Sequence, residues 1–231
     1  MAMLGGFLLW IVESSGEGAI ADSILLVHIT AGIIALLSGM AAIVTVKGGS
    51  RHNRAGKFYG VSMAVVVVTA LPLSVWIDNW FLFAIAIFSG YLVAAGYRIV
   101  LRRRSSLQDP TLTDYTLHGM MFAVGTAMIG IGGYGTVTGI MELGSVLAVF
   151  GLIGGILAVR ELSQYRVPGP DRTPWFERHI AFMSGGYIAT VTAAVTVNLS
   201  MLPPLVRWLG PTLVGVPLIG YAIKRYRPRF V

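Results

Sequence analysis

Cysteine is absent from the 231 residues. That removes disulfides, zinc–thiolate sites, iron–sulfur clusters and thiol nucleophiles together. Charge is scarce too: 12% of residues are Asp, Glu, Lys or Arg, about half the share of a soluble domain. The ten acids all fall near the ends of apolar runs or between them. No carboxylate therefore stands at mid-membrane depth, where proton- or sodium-coupled carriers hold one. The three lysines, Lys47, Lys57 and Lys224, lie at one edge of the apolar runs, which excludes a retinal Schiff base.

What is present is hydrophobic length. Residues of the apolar class make up 55% of the chain, in several uncharged runs of roughly 20 residues. A helix rising 1.5 Å per residue crosses about 30 Å of hydrocarbon in that length. The runs are continuous rather than alternating, so the fold class is all-α, an integral membrane bundle and not a barrel. Seven spans are predicted, at about 23–46, 58–77, 80–100, 115–137, 141–160, 178–200 and 203–223. The seventh contains Pro203, Pro204, Pro211 and Pro217, and a kinked or partly interfacial segment is expected there. Residues 1–22 are expected to form an external or interfacial segment, and 23–231 a single transmembrane domain. The first run has no basic residue before it, so no cleaved signal peptide is expected.

Charge orients the bundle. With the loop after the first span placed in the cytoplasm, 16 of the 17 basic residues fall inside and only Arg207 outside. The amino terminus is then external and the carboxyl terminus cytoplasmic, in a multi-pass protein of the cell membrane. The net charge of +7 is expected to face the anionic inner leaflet rather than a nucleic acid.

Three of the four histidines, His52, His118 and His179, lead the second, fourth and sixth spans at that inner face. Each such span and its successor reads as a hairpin, which predicts a three-hairpin repeat after the first helix. "HGMMFAVG" from His118 and "HIAFMSGG" from His179 share a Met/Phe pair at the third and fourth positions and a glycine at the seventh. Gly125 and Gly186 fall on the histidine's own face, where helix packing is the favoured role over ligand clearance. His28 is set apart. Nineteen residues separate it from Lys47, about 28 Å of helix, so it belongs to the outer leaflet.

"VHITAGIIALLSG" followed by "RHNRAGKFYG" resembles a family of prokaryotic multi-pass membrane proteins defined as a domain of unknown function. Its pattern is a first-helix histidine, a His-Arg-x-x-Gly-x-x-Tyr loop and two later helix-leading histidines. His28, His52, Gly56, Tyr59, His118 and His179 fit it. Asn53 stands where the loop arginine is usual. Phe182, Met183 and Gly185 stand where the last histidine is often followed by Trp-Met-x-Arg, so that Phe182 and Gly185 depart from it. The resemblance implies no activity. Membrane b-type cytochromes offer a looser analogy through histidines on antiparallel helices.

Four functions remain open. Haem b held by His118 and His179, its propionates meeting Arg51, Arg54 and Arg178 with His52 beside them, would exchange electrons with quinone or a cytoplasmic donor. A zinc ion on His52, His118 and His179, with Asp114 or Glu177 as general base, would make a membrane hydrolase. An uncoupled transporter is the third reading. The fourth is an accessory subunit that packs against other membrane subunits or copies of itself and has no chemistry of its own.

Overall fold

The computed structural model describes residues 18–104, 109–167 and 173–229. Seven helices among them are long and apolar enough to cross a membrane. They are α1 (Gly18–Val44), α2 (Ser50–Trp76), α3 (Trp80–Arg104), α4 (Leu112–Thr138), α5 (Gly144–Gln164), α6 (Trp175–Asn198) and α7 (Pro204–Tyr226). A single 3-10 turn, Arg227–Arg229, follows α7. The seven-helix, all-α architecture read from the apolar runs is the one observed.

The helix ends differ from the ends of the apolar runs. α2 begins at Ser50, so "RHNRAGKFYG" is the first turns of a helix and not a loop. Hydropathy marks only the part of a helix that hydrocarbon can solvate. Arg, His, Asn and Lys continue the same helix where headgroups and water satisfy them. Of the expected external segment, residues 1–17 lie outside the described residues, and 18–22 are already part of α1. Pro211 and Pro217 do not interrupt α7, which runs unbroken from Pro204 at its first position.

The turns follow local chemistry. Asn79 caps α3 by accepting the Leu82 amide at 3.0 Å, after Asp78 takes a left-handed φ of 51° to reverse the chain. Gly139, at φ 72°, ends α4, and the Met141 amide returns to the Gly135 carbonyl at 3.1 Å.

Two compact units make up the chain, residues 1–83 and 84–231. In the first, α2 packs along α1, and the buried residues of α1 are small: Ala31, Ala35 and Gly39, one per turn. Within this unit the second span thus has the first as a neighbour, a pairing that the hairpin repeat did not include. In the second unit α4 packs on α5, and α6 on α7, as that repeat expected. The first of these pairs is a glycine contact. A Cβ on Gly125 would stand 2.7 Å from the Gly151 carbonyl oxygen, and one on Gly151 equally close to the Gly125 oxygen. Gly125 is thus a packing glycine.

Candidate functional site

Each histidine uses its Nδ1 to reach a second helix. In the first unit, His28 Nδ1 lies 3.1 Å from the Val66 carbonyl and 2.9 Å from Thr69 Oγ1. The Thr69 hydroxyl donates to Val65 at 2.7 Å, so its oxygen accepts from the ring. His52 Nδ1 lies 2.9 Å from the Ala42 carbonyl. Lys47 Nζ donates to the same carbonyl at 3.0 Å, and burial pushes this ammonium below the ordinary lysine range. His52 and Lys47 together satisfy orphan carbonyls at the end of α1. Arg51 and Arg54 are exposed beside them.

The second unit holds a polar cluster at its basic end, built from α3, α4, α5 and α6. Arg98 of α3 pairs with Asp114 of α4, Nε to Oδ1 at 2.9 Å and Nη2 to Oδ2 at 3.3 Å. Asp114 also accepts the Thr111 amide and hydroxyl, each at 2.8 Å, closing the start of α4. Arg102 stands 3.6 Å from the same carboxylate. On the other side, Arg178 of α6 grips Glu161 of α5, with Nε to Oε1 at 2.9 Å and a further contact from Nη2 to Oε2. Asp114 is 1% exposed and Glu161 4%. Charges this deep persist because each carboxylate is met directly by a guanidinium that itself stays partly open to the surface.

His118 sits among these pairs. The Tyr91 hydroxyl of α3 lies 3.0 Å from its Nδ1, and the rings of Tyr165 and Phe182 approach to 5.9 and 6.4 Å between centroids. The imidazole is 3% exposed. His179 is half-buried, and its Nδ1 lies 2.9 Å from the Gly96 carbonyl of α3. Gly96 allows that approach, because a Cβ there would meet the Met183 side chain at 2.8 Å. Arg103 lies over the Trp175 ring, 3.7 Å from its centroid, a third link from α3 to α6.

Tyr165, just past α5, gathers the cluster. It meets Tyr115 at 5.3 Å, and Arg102 lies 5.4 Å from its ring centroid. Burial first, then the negative charges of Asp114 and Glu161, push its phenol up to about 12. A single ring thus senses both ion pairs.

His118, His179, Arg178 and Asp114 do gather at one end of the second unit. Arg178, expected at a propionate, is engaged by Glu161. Glu177 pairs with Arg227 at 2.9 Å. His52, Arg51, Arg54 and His28 belong to the first unit. Among the described residues no group of three or more His, Asp or Glu side chains is placed to hold a metal ion. Sequence reasoning missed Tyr91 and Tyr165 and counted Arg98 and Arg102 only for topology. Glu161 carried the one usable signal, the single acid of its helix, standing beside Arg160 at the end of an apolar run.

The cluster can clamp helices, with the Tyr91 hydroxyl and His118 Nδ1 tying α3 to α4 at its centre. A planar macrocycle beside His118 would have to displace the Tyr91, Tyr165 and Phe182 rings. No family model, curated protein or solved structure matches the chain.

Proposed function

We propose that the polar cluster is a helix lock, and that the protein serves as an accessory or assembly subunit within the membrane. One observation carries this reading. The cluster's polar side chains are engaged on neighbouring helices of the same unit: Arg98 on Asp114, Arg178 on Glu161, Tyr91 on His118 and His179 on Gly96. Such contacts fix which faces of four helices meet while leaving the outer apolar faces to other subunits.

A second reading is favoured by the imidazole geometry. A main-chain carbonyl only accepts, so His28, His52 and His179 each carry the proton on Nδ1. A neutral ring fixed this way turns its lone pair onto Nε2, the form in which histidine binds a haem or a transition metal. In this reading His179, together with His118 once the Tyr91, Tyr165 and Phe182 rings have moved aside, would hold haem b or a metal ion, and the bound group would supply electron exchange with quinone.

One preparation separates the two. The chain, solubilised in mild detergent, is examined for its absorbance after dithionite reduction, its metal content and its size. The lock reading expects a colourless, metal-free protein migrating above monomer mass. A reduced haem band, or metal bound in a fixed ratio, overturns it in favour of the redox reading. A colourless, metal-free monomer overturns the assembly role.

A further inference from the structure

The first unit carries a feature that neither reading uses. A groove of about 670 Å³ runs between α1 and α2, with Ile34, Leu37 and Ala41 on one wall and Phe58 on the other. Arg51 and Arg54, one turn apart on α2, stand at its basic end. A second, polar recess of about 490 Å³ adjoins it, lined by Ser50, Asn53, Arg54 and Lys57. Ser50 and Arg54 line both, so the apolar groove and the polar recess lie side by side at the start of α2.

The charge in this region is of one sign. Residues 45–77 contain no Asp or Glu, and no described carboxylate lies within 4.0 Å of either arginine. Leu37 is 70% exposed and Phe58 59%. The wall is therefore open to whatever the membrane supplies.

From this juxtaposition we propose that the α1–α2 groove binds one anionic phospholipid. An acyl chain lies along Ile34, Leu37, Ala41 and Phe58, the phosphate meets Arg51 and Arg54, and the remainder of the headgroup enters the recess beside Asn53 and Lys57. A guanidinium holds a phosphate through paired N–H donors, which gives the site geometry as well as charge. Basic recesses between membrane helices on the cytoplasmic side select anionic headgroups on the same grounds. The apolar wall requires a tethered chain and so distinguishes the lipid from a soluble phosphate.

The test is lipid retention by the full-length protein in mild detergent, read by native mass spectrometry. Phosphatidylglycerol and phosphatidylcholine of matched acyl chains compete for it. A single phosphatidylglycerol is expected to be retained with roughly tenfold preference or more. Arg51→Gln with Arg54→Gln should bring the preference close to unity, while Arg51→Lys with Arg54→Lys, which keeps the charge but not the paired donors, should give a value between that and the unaltered protein's. Melting curves check that each variant is folded; should the double glutamine variant fail, Arg54→Gln alone must still reduce the preference. Equal retention of the two lipids by the unaltered protein overturns the proposal, as does an undiminished preference in the folded glutamine variants. Displacement of the lipid by inorganic phosphate alone would assign the site to a soluble anion and overturn it equally.

Discussion

The two units treat the same amino acid in opposite ways. Arg51 and Arg54 of the first are exposed and, among the described residues, have no carboxylate beside them, whereas Arg98 and Arg178 of the second are held by Asp114 and Glu161 across helices. All four counted equally toward topology. The difference lies in acids: the helices that meet at the basic end of the second unit carry them, and the α1–α2 turn carries none. A basic residue at a membrane edge becomes either a lipid anchor or a structural clamp, according to whether a carboxylate on a neighbouring helix reaches its depth.

The sharpest way to break this contrast is to remove one side of a buried pair. Glu161→Ala leaves the Arg178 guanidinium enclosed without its carboxylate, and should cost about 3 kcal/mol. Thermal melting in detergent reads it as a large loss of stability. Exchanging the charges, Glu161→Arg with Arg178→Glu, should recover part of that loss. A cost for Glu161→Ala no greater than that of Arg54→Gln would end the distinction between the units.

Next comes the backbone contact in the second unit. Gly125→Ala places a methyl against the Gly151 carbonyl, and separating α4 from α5 should cost about 2 kcal/mol. Gly119→Ala, with nothing within 4 Å of the new Cβ, should be neutral or gain up to about 1 kcal/mol from helix propensity. Comparing the two melting temperatures isolates packing from propensity.

In the first unit the effects shrink. His52→Ala removes a bond to the Ala42 carbonyl and should cost about 1 kcal/mol. Arg51→Gln and Arg54→Gln should each stay within about 0.5 kcal/mol in lipid-free detergent.

The last prediction is silent at neutral pH. Tyr165 is raised from 10.0 to about 12, so the folded state keeps the phenol proton over a range in which the unfolded chain loses it. Its contribution is whole below pH 10 and is lost as the pH climbs through about 12. Phenolate absorbance of the native protein minus that of Tyr165→Phe should show this late titration. A difference spectrum rising near pH 10 would mean that the ring is not enclosed by the Asp114 and Glu161 pairs.

The gathering of His118, His179 and Arg178 at one end was legible because span order and charge bias set each helix's depth. What each side chain faces was not. His118 on Tyr91 and Arg178 on Glu161 depend on the rotation of α3 and α5 about their axes, and helices apolar on every side carry little rotational signal. Gly125 was legible as a packing glycine, but its opposite number, Gly151, was not. Tyr165 lay in a loop with no pattern to mark it.

By itself, then, the sequence determined seven helices long and apolar enough to span a membrane, and its charge bias gave the expectation of a cytoplasmic basic end, since apolar length and charge bias act residue by residue. Only the tertiary structure decided that the first span pairs with the second. It also decided that Glu161 and Asp114 capture the arginines of one unit, while those of the other are left beside an open groove. These outcomes turn on which faces meet and at what depth, and contacts over distances as long as the 83 residues between Gly96 and His179 are set by packing.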